Sequence, residues 1–225
     1  DTGELAWRYQ ATADDVWNSA CLNDGPNCPE NAGGDFDIGA SVILAELADG
    51  SEVLLAGQKS GDAFALAIDP DNEDGELLWR RRLSNAAVGP DLAQTTTNGG
   101  IHWGMALSGD RLLVPAADPE RDRPGYDPRP GLHALDAGSG EILWHYGAER
   151  GCDLEEGDRL MVGLQNMRTG VKRTLAELYR CSFYYGLSAA ATATPELVFS
   201  GGLDGVIRVF DIDSGELLWR AKTAL

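Results

Sequence analysis

Three short runs put polar side chains where the surrounding pattern calls for plain strands. Asp35 and Asp37 stand two apart in Gly34-Asp35-Phe36-Asp37-Ile38-Gly39-Ala40-Ser41, just ahead of an apolar run. A carboxylate there can take a proton or bind a hard cation. Lys59 lies in Gly57-Gln58-Lys59-Ser60-Gly61 and supplies a compact positive charge. His102 and Trp103 belong to Gly99-Gly100-Ile101-His102-Trp103-Gly104-Met105, and an imidazole changes charge near neutral pH. Brought to one point, these groups would suit proton transfer beside a polar ligand. Each also has a plainer role open to it: Asp37 as a turn cap, Lys59 as a solvated hairpin residue, Trp103 as core.

The elements that must position them are announced by a phrase repeated four times. DTGELAW ends at Trp7, DPDNEDGELLW at Trp79, DAGSGEILW at Trp144 and DIDSGELLW at Trp219, with intervals of 72, 65 and 75 residues. Self-similarity on this scale marks a repeat architecture, longer per unit than the WD40 blade of about 40–45 residues. Each phrase reads as two antiparallel strands around a tight turn. Gly75, Gly140 and Gly215 are expected at positive φ, with an Asp bonding turn amides. Two further apolar runs precede each phrase: Ser41–Leu47 and Glu52–Gly57, His102–Leu107 and Arg111–Ala116, Ser188–Thr194 and Glu196–Ser200. Four strands per unit with short connections is the plan of a β-propeller blade. Only Arg173–Tyr179 carries a helical period.

The expected fold class is therefore all-β, with three complete four-stranded propeller blades at 40–83, 101–147 and 186–223. Residues 1–9 read as the closing strand of a preceding blade, and 10–39 and 148–185 as insertions. Three blades and a strand leave sheet edges open, so 1–225 reads as one partial propeller domain. The remaining blades would come from parts of the protein outside this sequence.

Eighteen basic against 36 acidic residues give a net charge of −18, which makes nucleic acid and anionic membranes poor partners. No membrane-spanning run is visible. The four cysteines are expected to pair as Cys21–Cys28 and Cys152–Cys181, with buried free thiols as the alternative. Such pairing points to an oxidising compartment, the periplasm above all. Neither pair has the spacing of a zinc site.

Taken together, the Trp phrase and the three polar runs resemble the quinoprotein alcohol dehydrogenases, eight-bladed propellers that hold pyrroloquinoline quinone (PQQ). The sequence is similar above all to the polyvinyl-alcohol-dehydrogenase-like branch. The segments that carry this likeness are Asp35–Ser41, Leu54–Gly61, His102–Ala106, Ser188–Thr192 and Phe199–Arg208. The resemblance implies Asp37, after Phe36, as general base and calcium neighbour, with Asp35 as second choice. It implies Lys59 on the quinone oxygens, and His102 and Trp103 beside the cofactor, with His102 where the family carries an amide. The family's other calcium ligands, and the Trp on which the quinone stacks, belong to blades that this sequence lacks. The implied partners are an alcohol, small or polymeric, and a cytochrome c that accepts the electrons. Two other readings share the repeat: a non-catalytic scaffold of the outer-membrane-assembly type, and a sugar- or polymer-binding propeller.

Overall fold

The computed structural model describes residues 2–13, 15–23, 25–68, 75–84, 99–118, 128–148, 186–187, 189–202 and 204–223. Arg173–Tyr179, Cys152 and Cys181 lie outside them. Among the described residues, twelve strands form three four-stranded antiparallel sheets, each a meander in chain order. The first holds β1 (Ile43–Glu46), β2 (Glu52–Gly57), β3 (Asp62–Ala67) and β4 (Leu77–Arg82). The second holds β5 (Ala106–Ser108), β6 (Arg111–Ala116), β7 (Gly131–Asp136) and β8 (Ile142–Gly147). The third holds β9 (Thr192–Ala193), β10 (Leu197–Gly201), β11 (Val206–Asp211) and β12 (Leu217–Lys222). This is the all-β, blade-like architecture expected.

In the second and third sheets the turns between third and fourth strands repeat almost atom for atom. Asp136 Oδ1 accepts from the amide and hydroxyl of Ser139 at 2.8 and 2.7 Å. Asp211 does the same with Ser214 at the same two distances. Gly140 and Gly215 take φ of +68° and +72°. Gly75 is not at positive φ, although the same role was expected of it. Close approach is what requires a glycine there, because a Cβ would come 2.6 Å from the Trp7 ring.

That approach is the rule for every sheet junction. The Trp79 indole lies on Gly140, where a Cβ would be 2.6 Å away, and donates to Ala137 O at 2.8 Å. Trp144 lies on Gly215 and donates to Ile212 O at 2.9 Å. Each indole thus buries its ring and satisfies its N–H in one contact. Every fourth strand also carries a bulge beside its Trp, leaving Leu78, Leu143 and Leu218 unpaired and exposed. Among the described residues, 2–9 carry an isolated β-bridge at Arg8; Trp7 against Gly75 and Arg8 O accepting from Gly75 N at 3.4 Å tie them down.

The core lies between the sheets, in two slabs. Val53, Leu55, Ala65, Leu112, Val114 and Leu135 fill the first junction. Leu113, Leu132, Val198 and Phe210 fill the second. His133 and His145, paired across β7 and β8, stack at 4.1 Å between ring centres. Burial, helped by the neighbouring His145, pushes His133 down from 6.5 to about 3.

The first strands are shorter than their apolar runs, because the residues just ahead of them are drawn into other bonds. Ile101 N donates to Gln58 O at 3.1 Å, while Gly100 exchanges bonds with Ala117 in the second sheet. Leu187 likewise donates to Ala116 O and bridges to Gly202. These lead-in segments lace one sheet's β2–β3-type turn to the next, and the first of them carries His102.

Two outcomes follow. Gly215→Ala adds a Cβ at positive φ and against Trp144, so unfolding measurements should show a loss of more than about 1 kcal/mol. The unfolded chain protonates His133 between pH 6.5 and about 3 while the folded chain does not. Stability should therefore fall with pH through that window, by up to about 1.4 kcal/mol per pH unit for this group. In His133→Phe, which copies Phe64 at the matching place in β3, urea titrations should show a shallower slope of stability against pH.

Candidate functional site

The turn between β2 and β3 is built to hold one lysine still. Gln58, Ser60 and Asp62 around it are buried. Ser60 Oγ lies 2.7 Å from Gln58 Oε1, and Thr12 donates to that same oxygen at 3.2 Å. Asp62 accepts from both Arg80 and Arg82, which pair with it from β4. Gly61 closes the turn at φ +90°, where a Cβ would meet Ser84 at 2.7 Å. Every side chain of the turn but one is engaged inward, and Lys59 is left to reach the surface at 18% exposure.

The acidic run meets it from the other side. Phe36 is buried and folds over Gly34, where a Cβ would sit 2.4 Å from its ring. This pins the segment, and Lys59 N donates to Asp37 O at 3.0 Å. With the backbones joined, the two carboxylates close on one ammonium. Lys59 Nζ lies 3.1 Å from each oxygen of Asp35 and 2.8 Å from Asp37 Oδ2. Their surroundings differ sharply: Asp35 is 3% exposed and Asp37 67%. Burial pushes Asp35 up, against the pull of Lys59. The hydrogen bond from Lys59 holds Asp37 down. Burial works against the charge of Lys59 as well, but the bonds to Asp37 and Asp35 outweigh it and raise its pKa.

His102 arrives through the lead-in segment laced to Gln58. Its backbone carbonyl lies 3.1 Å from where a Cβ on Gly39 would stand, which places it against the acidic run. Nε2 lies 2.9 Å from Gly99 O, and a carbonyl only accepts, so Nε2 carries the proton. Burial, with the charge of Lys59 adding to it, pushes His102 down. At neutral pH it is an uncharged ring whose Nδ1 is an acceptor. The Trp103 indole packs at 5.1 Å from that imidazole and is 55% exposed, not core.

The sequence pattern missed Asp15. It sits in an irregular segment with no repeat counterpart; its pKa is raised by burial and then by the charges of Asp37 and Asp35. Only its place among those carboxylates marks it. Cys21 and Cys28 are joined as a disulfide, as expected.

The donors suit one edge of a quinone: an ammonium for carbonyl oxygens, and an exposed indole face next to it. They do not suit a metal by themselves. Among the described residues no group of three or more His, Cys, Asp or Glu is placed to hold one. Asp37, the expected calcium neighbour, already has an ammonium on Oδ2.

The whole chain, residues 1–225, matches the PQQ_2 family, described as outer membrane protein assembly factor BamB. It is 34% identical over 224 residues to a polyvinylalcohol dehydrogenase from Pseudomonas sp, a match covering 100% of this chain and 29% of that protein. A second polyvinylalcohol dehydrogenase, from Sphingopyxis sp. (strain 113P3), is 33% identical over 229 residues, covering 99% of this chain and 29% of its own length. The chain thus spans less than a third of these curated relatives. Among solved structures, a europium-containing methanol dehydrogenase superposes with a TM-score of 0.53 at 15% identity, over 96% of this chain and 35% of that one. That likeness is one of fold. The resemblance to the polyvinyl-alcohol-dehydrogenase branch is borne out.

The geometry makes Lys59 and Asp35 energetically interdependent. In unfolding measurements, Lys59→Met and Asp35→Asn should each destabilise, and the double variant should lose less than their sum. The expected coupling is between about 0.5 and 3 kcal/mol; strict additivity would mean the two groups do not act as a pair.

Proposed function

The chain belongs to the PQQ_2 family, and from that footing we propose that it forms the quinone-facing part of a PQQ-dependent alcohol dehydrogenase. The observation that carries this reading is the exposed Asp37 carboxylate held beside the Lys59 ammonium at 2.8 Å. What sets it apart from an ordinary surface ion pair is that the same ammonium is held from below by a second, buried carboxylate, Asp35.

The reaction class is oxidation of a primary or secondary alcohol, polymeric ones such as polyvinyl alcohol included. A quinone bound here supplies the acceptor for the hydride of the alcohol carbon. Asp37 takes the hydroxyl proton: it is ionised at neutral pH, and its exposure leaves it reachable. Lys59 would hold the quinone oxygens and offset negative charge there. His102, neutral, offers Nδ1 as an acceptor, and Trp103 offers an apolar wall. No step is assigned to calcium, for which the described residues supply too few ligands. A cytochrome c is the onward acceptor in this reading. The periplasm is the compartment, which suits the Cys21–Cys28 bond.

The second reading is a non-catalytic propeller scaffold, favoured by the assembly-factor description of the family. Full-length protein loaded with PQQ and calcium decides between them through alcohol-dependent dye reduction. The dehydrogenase reading expects turnover, with Asp37→Asn lowering kcat by about 10²–10⁴-fold. Unchanged activity in Asp37→Asn removes that residue from its role. Absence of both PQQ binding and turnover in the full-length protein leaves the scaffold.

A further inference from the structure

Two carboxylates share Lys59, and they are not equivalent. Asp35 is buried, and both of its oxygens lie 3.1 Å from Nζ. A buried carboxylate without a partner is costly, so Asp35 cannot release the ammonium cheaply. Asp37 is mostly in solvent and engages Nζ through Oδ2 alone. Exposed ion pairs are worth little, so Asp37 can let go. Phe36, between them, is buried over Gly34 and pins the run that carries both.

We propose that Asp35 is a positioning residue, the anchor that keeps the Lys59 ammonium in place while Asp37 is free to engage an incoming hydroxyl. It touches neither substrate nor quinone; it acts through Lys59. An extended peptide sends alternate side chains to opposite sides, and Asp35 and Asp37, two apart, reach the same ammonium from one side. Their division of labour therefore comes from depth, not direction. The consequence of the anchoring for catalysis rests on the dehydrogenase reading above, whereas the anchoring itself does not.

The test reads Lys59 directly in the full-length protein without added cofactor. Acylation of Lys59 by an N-hydroxysuccinimide ester is followed by peptide mass spectrometry. Wild type should react slowly, and Asp35→Asn at least fivefold faster. Asp35→Glu, which keeps the charge, should return to within about twofold of wild type, a rescue that a purely structural defect would not give. Asp37→Asn removes the other bond to Nζ and should also speed labelling, but by clearly less than Asp35→Asn, because the buried anchor remains. The proposal is overturned if Asp35→Asn leaves labelling unchanged. It is equally overturned if Asp37→Asn alone brings Lys59 to the rate of a free lysine, a result that stands even where Asp35→Asn does not fold. In the PQQ-loaded full-length protein, Asp35→Asn should lower kcat at least tenfold and leave the KM for alcohol within about twofold, with Asp35→Glu recovering most of the loss. If the wild type takes no PQQ, the dehydrogenase reading fails while the labelling result still decides the role of Asp35.

Discussion

An indole lying flat on a glycine is the contact from which the rest of this structure follows. Trp79 on Gly140 and Trp144 on Gly215 each occupy space that a Cβ would fill. The geometry is reciprocal: the glycine must sit in a turn tight enough to bare its backbone, and the indole must end a strand that points at it. Each N–H then reaches a carbonyl three residues before that glycine. One contact therefore sets both the distance between neighbouring sheets and their alignment. Trp219, 53% exposed, makes no such contact among the described residues.

With the sheets spaced this way, the junctions can be dry on one side and polar at one end. The slabs of Leu, Val and Ala lie deep between the sheets. At the end carrying the β2–β3 turn, the lead-in segments complete the backbone bonding. Gly100 bridges to Ala117 while Ile101 bonds to Gln58, and Leu187 bonds to Ala116 and bridges to Gly202. The candidate site is a by-product of that lacing. Lys59 is where the first turn surfaces, Asp37 is where the acidic run bonds to it, and His102 is one residue beyond Ile101, whose amide bonds to that turn.

Charge placement in the site follows burial more than sequence distance. Asp62 and Asp35 both lie almost out of solvent, and each is met by cations: two arginines for the first, Lys59 for the second. Asp37 and Asp15 stay closer to water, and their carboxylates shape the field around the same ammonium.

Much of this was legible in the order of residues. The Trp phrases, turn aspartates and alternating apolar runs specify hairpins through local chemistry, so the three four-stranded sheets could be read from them directly. Asp35, Asp37, Lys59, His102 and Trp103 stood out because polar groups interrupted β patterns. Local pattern could not say that Gly75 serves close approach instead of a positive φ, or that the first strands would be cut short by bonds to neighbouring sheets. Nor could it find Asp15, which has no repeat to mark it. Least of all could it rank Asp35 against Asp37, since both are aspartates on one short run. The sequence alone determined which groups exist and which hairpins carry them, because turns and strand periods depend on near neighbours. Only the tertiary structure decided which carboxylate is buried under Lys59 and which faces solvent, because burial depends on chain brought in from dozens of residues away.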